Sequence, residues 1–258
     1  LTAIRATDDP AEIGPVDLVF FLVKLYDTET AAQALAPLLG RETAVFTFQN
    51  GIDGAARIGA IVGEERVVDG IAYIPADIRA PGVVRHRGDF ARLLFGETDG
   101  RESARCRALK AALDGAGIDG ELVSDIRVRK WQKFVMLSGL SAITTLTRLP
   151  IGAILADEAC AQLFRDALAE TAAVGRAACP DLPADAADSA LAVAHSFPYE
   201  VHASMFDDLQ RGKRLELMDL SGAVVREGAA HGIETPVHRI AMQALHPYLN
   251  GPPEPPRN

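Results

Sequence analysis

The chain has 258 residues, 48% of them hydrophobic and 24% charged, which suffices for one large domain or two ordinary ones and argues against general disorder. A formal net charge of −9 with no basic stripe argues against nucleic acid and anionic membrane as partners. Cys106, Cys160 and Cys179 show neither metal-ligand spacing nor a disulfide framework, so a reducing cytoplasm is the default compartment.

The first stretch, "LTAIRATDDPAEIG", reads as mid-protein sequence and predicts a natural chain that begins further upstream. Next comes "PVDLVFFLVK" (15–24), an apolar run rich in β-branched and aromatic residues, the pattern of a strand buried on both faces of a parallel sheet. Residues 27–39 have helical character, with Asp27 or Thr28 as cap and Glu29 in the first turn. A second buried strand over 43–51 ends at Asn-Gly, a helix is expected at 54–63 and a third strand at 66–78. Strand and helix alternate here, which implies right-handed crossovers and an α/β sheet. Alternation in "GVVRHRGDFARLLFGE" (82–97) suggests a hairpin, 101–117 an amphipathic helix stopped by glycine, and "GIDGELVSD" a last strand.

At Ser124-Asp125, a good N-cap pair, the texture changes to alanine and leucine. Helices are expected at 125–147, 157–178, roughly 184–195, 199–211, 215–231 and 236–248, and the tail "GPPEPPRN" reads as loose. The expected fold is therefore an incomplete Rossmann-type α/β sheet (1–124), an all-helical domain (125–248) and a proline-rich tail (249–258).

"GAGIDG" (115–120) matches G-x-G-x-x-G literally, but it follows a helix and opens a strand. A dinucleotide fingerprint needs the reverse order, so that pyrophosphate meets a helix N-terminus, and the better reading is a glycine helix stop plus a turn. Ligands of such sheets sit beyond the C-terminal strand ends, where Lys24 and Asn50 fall. Each has a plain alternative: a solvated strand end for Lys24, a turn for Asn50-Gly51.

Lys133 opens an uncharged run from Phe134 to Thr147. On a helix, Lys133, Leu137, Ser141 and Thr144 or Thr145 share one face. The lysine either snorkels to water or is held near apolar surface, where a lowered pKa suits proton donation. Glu216 alone reads as a helix-surface carboxylate, and His195, His202, His231 and His238 as surface or helix-end histidines. Trp131 reads as a packing residue at the domain junction. Ser204 and Glu216 stand twelve positions apart, about 18 Å on an unbroken helix, so sharing a site requires a break, for which Gly212 is the candidate.

The set "VKLYDT" with Lys24, "FQNG" with Asn50, "GIAYIPA" (70–76), "GVVRHRG" (82–88), "KWQKF" with Lys133, and "ASMFDDLQRGKRLELMDLSGAVV" with Ser204 and Glu216 resembles the ketopantoate reductase (2-dehydropantoate 2-reductase) family over nearly the whole chain. The resemblance implies an NADP-dependent oxidoreductase of pantothenate biosynthesis with a Rossmann domain and a helical C-terminal domain. It places the catalytic proton donor at Lys133, with Glu216 acting in both catalysis and cofactor binding. Cofactor contacts fall on Lys24, Asn50 and Ala76, and substrate contacts on Asn50, Ser141 and Ser204. The family's N-terminal G-x-G-x-x-G unit is missing, and Leu137 and Ser141 replace its asparagines four and eight residues after the lysine. The expected activity is NADPH-dependent reduction of a small 2-oxo acid, 2-dehydropantoate or a more apolar relative. No metal, nucleic acid or membrane is expected as partner, and a homodimer stays open. The competing reading is a truncated, non-catalytic remnant whose helical domain only packs or dimerises.

Overall fold

The structure, a computed structural model, describes residues 4–86, 88 and 90–253. It divides at Ile126/Arg127 into two compact units.

The first unit runs β1 (Val16–Phe21), α1 (Thr28–Gln33), β2 (Leu39–Thr47), α2 (Gly54–Val62), β3 (Val67–Tyr73), β4 (Ala76–Ala80), β5 (Val83–His86), β6 (Arg92–Gly96), α3 (Ala104–Gly115) and β7 (Gly120–Leu122). The main sheet has the order β1-β2-β3-β6-β7. It is parallel except at β3/β6, so the expected parallel α/β sheet is found with one antiparallel pairing inside it. Successive residues of β2 point to opposite faces. Ala44 and Phe46 join Val68, Phe95, Cys106, Leu109 and Leu113 on one side, while Val45 joins Phe21, Ile58 and Val67 on the other. β2 is thus buried on both faces, as its apolar run predicts.

Several local expectations are corrected. β1, expected to be buried on both faces, is only partly buried, with Asp17 and Phe20 exposed, and among the described residues it pairs with β2 alone. The helix expected at 27–39 stops at Gln33; Pro37 lies in a separate 3₁₀ turn, Ala36–Leu38, since proline cannot continue an α-helix. The hairpin expected within 82–97 does not form: β5 pairs backwards with β4, and β6 joins the main sheet against β3. Arg87 and Asp89 of that stretch lie outside the described residues. "GAGIDG" is indeed a helix stop and turn, with α3 ending at Gly115, Gly117 at φ +68° and β7 starting at Gly120.

The second unit is helical: α4 (Ile126–Thr147), α5 (Ile151–Ala156), α6 (Glu158–Ala178), α7 (Ala186–His195), α8 (Ser204–Gln210), α9 (Ser221–Ala230) and α10 (Pro236–Leu245), closed by a 3₁₀ turn at His246–Tyr248. The short α5 lies between the helices expected at 125–147 and 157–178, where none is expected. α4 approaches α6 closely at Gly139, where a Cβ would lie 2.7 Å from Leu168 Cδ2. Trp131 packs on Phe134, and its ring stands close to Gly175 of α6.

His238 corrects the surface assignment: it is fully buried. Its Nε2 stands 2.9 Å from Thr171 Oγ1 and its Nδ1 3.3 Å from Ser221 Oγ, while Thr171 Oγ1 meets Ser138 Oγ at 2.9 Å. This polar thread joins α4, α6, α9 and α10. The tail expected to be loose is docked as far as Pro252, which stands 3.2 Å from the place a Cβ on Gly212 would take; residues 254–258 lie outside the described residues. No helix among the described residues is long and apolar enough to cross a membrane.

Candidate active site

In the first unit the C-terminal ends of β1 and β2 lie side by side, because the two strands are parallel neighbours in register. Lys24 and Asn50 do not end the strands as the sequence suggests. β1 stops at Phe21 and β2 at Thr47, so both residues stand on the short connections beyond the strand ends. Gln49, which stands in "FQNG" but is given no role in the sequence reading, ties these connections together. Its Nε2 donates to Val23 O at 2.9 Å and to Thr28 Oγ1 at 3.0 Å, and its Oε1 accepts from Thr47 Oγ1 at 3.1 Å. Buried and fully engaged, Gln49 fixes the backbone next to both Lys24 and Asn50. Ala76 opens β4 further along and is exposed.

A lysine cation and an asparagine amide held on the C-terminal rim of a parallel sheet suit a phosphate- and amide-bearing ligand. Lys24 and Asn50 therefore fit a nicotinamide dinucleotide by donor chemistry. A glycine-rich phosphate loop is absent from the described residues of this unit.

The second unit assembles the other candidates. α4 runs unbroken from Ile126 to Thr147, so Lys133, Leu137, Ser141 and Thr145 do line one face at i, i+4 spacing. Lys133 and Leu137 keep part of their surface in solvent, whereas Ser141, Thr144 and Thr145 are fully buried. Ser141 Oγ and Thr145 Oγ1 have no hydrogen-bond partner among the described residues.

The Lys133 ammonium is depressed from the ordinary lysine range to about 8. Burial is the largest cause and the neighbouring Lys130 cation the second; the Glu216 carboxylate opposes both. The lysine is thus held inside rather than snorkelling free. Lys130, which sequence reasoning missed, is only 4% exposed. The one hint was its spacing, since "KWQK" puts two lysines one turn apart.

Glu216 is not on a helix and not on the surface. It is buried, in the irregular segment between α8 and α9. Gly212, at φ +63°, turns the chain after α8, the break without which Ser204 and Glu216 could not share a site. The segment is then anchored by Leu215 N donating to Leu249 O at 2.9 Å, and Glu216 O accepts from Asp219 N and Leu220 N.

Ser204 is exposed at the first position of α8. Its place is set from behind: Ala203 N donates to Thr144 Oγ1 of α4 at 3.3 Å, and Ile151 N of α5 donates to Val201 O at 2.8 Å. Helices α4 and α5 therefore fix the strand-like segment that delivers Ser204. Among the described residues no cluster of histidine, cysteine and carboxylate could hold a metal ion.

Family models match both units: ketopantoate reductase PanE/ApbA over residues 1–100, and ketopantoate reductase PanE/ApbA C terminal over residues 125–249. A 2-dehydropantoate 2-reductase of Caulobacter vibrioides is 31% identical over 243 residues, covering 94% of this chain and 81% of that protein. Among solved structures, a PanE/ApbA family ketopantoate reductase from Ralstonia eutropha JMP134 aligns with a TM-score of 0.86 at 31% identity, covering 95% of this chain and 80% of that one. A 2-dehydropantoate 2-reductase from Geobacter metallireducens GS-15 aligns with a TM-score of 0.87 at 27% identity, covering 95% and 82%.

Proposed function

This chain belongs to the ketopantoate reductase family and is an oxidoreductase; on that premise we propose that it reduces a small 2-oxo acid to the 2-hydroxy acid with NADPH, using Lys133 as proton donor. The observation that carries this reading is the held lysine, depressed to about 8 beside a buried Glu216. An ammonium so poised is largely protonated at neutral pH yet gives up its proton more readily than an ordinary lysine.

NADPH, when bound, supplies the hydride that the carbonyl carbon receives. The chain's residues do the rest. Lys24 and Asn50, on connections stitched by Gln49, hold the cofactor, Lys24 by charge and Asn50 by its amide, with Ala76 leaving room beside it. Lys133 Nζ donates a hydrogen bond to the carbonyl oxygen, stabilises the charge developing there and transfers its proton as the alcohol forms. Solvent then reprotonates the amine. Glu216 keeps Lys133 in its charged form between turnovers and orients the reacting groups. Ser204 and Ser141 supply hydroxyls to the polar parts of the substrate.

The preferred substrate is a 2-oxo acid more apolar than 2-dehydropantoate. Leu137, one turn beyond Lys133, presents an apolar wall where an amide would serve a substrate hydroxyl. Such a wall discriminates by about 1–3 kcal/mol per methylene, far less than a dedicated hydrogen bond.

The test is direct. Purified protein is assayed for oxidation of reduced nicotinamide cofactor with a panel of 2-oxo acids, with NADPH and NADH in parallel, beside Lys133→Ala. Turnover that depends on Lys133 and favours NADPH is expected. Undiminished turnover in Lys133→Ala would reject the reading.

A further inference from the structure

Lys130 is buried to 4% exposure one helical turn before Lys133, and the reduction as described gives it no role. Two lysines at i, i+3 on one helix are surface neighbours, and like charges so placed repel. We propose that Lys130 is a positioning residue of the reduction: its buried cation, one turn from Lys133 on α4, drives the Lys133 proton toward the substrate oxygen. This rests on Lys133 being the proton donor.

The charges acting on Lys133 support the assignment. Lys130 acts from α4 itself, lowering the proton affinity, and Glu216 acts against it from the segment between α8 and α9. Arg127 and Arg129 of the same helix are exposed. α6, which packs on α4 through Phe164, Leu168 and Thr171, directs Glu170 away, to accept from Val237 N and His238 N at the start of α10. Lys130 is therefore a cation acting on Lys133 from within the helix, and Glu216 a carboxylate that opposes it.

The experiment is the pH dependence of kcat for the wild type, Lys130→Met, Lys130→Arg and Lys133→Ala. Reduction needs protonated Lys133, so kcat falls on an alkaline limb near pH 8. In Lys130→Met the repulsion is gone and the limb moves up by about one unit, the scale of a like-charge neighbour. Lys130→Arg keeps the charge and leaves the limb in place. A limb that stays put in a folded Lys130→Met, while Lys133→Ala is inactive, would overturn the proposal. Activity retained in Lys133→Ala would instead defeat the functional reading beneath it. Should Lys130→Met fail to fold, ¹⁵N-lysine NMR of the wild type decides. Coupled lysines titrate in two steps sensed by both resonances, whereas independent single-step curves would overturn the proposal.

Discussion

Lys133 settles its own ambiguity through its neighbours. A lysine at the edge of an apolar run can lie along the surface with its head in water, but here burial dominates and its affinity for a proton falls to about 8. Lys133→Ala is expected to lower kcat by about 10² or more, the scale of a lost general acid, with little change in the melting temperature. Glu216 opposes the depression, so Glu216→Gln should shift the alkaline limb of kcat to lower pH, the reverse of the Lys130 effect, and raise KM as well. A limb unmoved by Glu216→Gln would separate the carboxylate from the lysine. Leu137 carries the substrate prediction. Wild type should prefer 2-oxo acids with apolar side chains, and Leu137→Asn should shift kcat/KM toward 2-dehydropantoate. A wild type favouring 2-dehydropantoate by orders of magnitude, with Leu137→Asn silent, would remove Leu137 from the substrate site.

Among the elements, the segment between α8 and α9 carries the candidate Glu216. One uninterrupted helix would carry Ser204 and Glu216 about 18 Å apart. Gly212 instead turns the chain in the left-handed region at φ +63°, and the docked tail, at Leu249 and Pro252, holds Leu215 and the turn itself in place. Gly212→Ala adds a methyl 3.2 Å from Pro252 in a conformation L side chains rarely adopt. It should cost about 1 kcal/mol of stability and lower kcat by disturbing Glu216. Differential scanning calorimetry and steady-state kinetics on the one variant check both. A variant with wild-type kcat would show that the turn does not govern the carboxylate. In the first unit Gln49 has the analogous part, joining the connections after β1 and β2 so that Lys24 and Asn50 rest on one fixed backbone.

For the molecule as a whole, the buried thread through Ser138, Thr171, His238 and Ser221 makes stability depend on acid. Burial depresses His238 from 6.5 to about 4, against the Ala167 carbonyl, which raises it. The unfolded chain therefore binds this proton between pH 6.5 and 4 while the fold refuses it. The stability from neutral His238 is fully present above pH 6.5 and is lost as pH falls toward 4, by roughly 3 kcal/mol over the window. Urea unfolding at pH 7 and at pH 4.5 should show this loss. His238→Gln should be less stable at pH 7 yet lose less on acidification. Equal losses in both proteins would mean that His238 is not the group responsible.

Much of this was legible in the chain itself, because helix and strand periodicity, proline and glycine stops, and the buried β2 are local patterns. The order of β and α elements, the change of texture near residue 125 and the family motifs lay open to reading. So did the need for a break near Gly212, a consequence of helix rise alone. Burial and pairing could not be read so, since each depends on residues distant in sequence. The pattern of residues 82–97 fits a hairpin as well as it fits two strands with separate partners, and only the fold assigned β5 to β4 and β6 to β3. The apolar run of β1 looks like that of a strand buried on both faces, yet Phe20 within it and Leu22 just after it are exposed. Lys130, Glu216 and His238 each resemble ordinary surface residues in sequence. Tertiary packing took all three out of water, and desolvation, which no local pattern encodes, is what turns a lysine beside a carboxylate into a candidate acid.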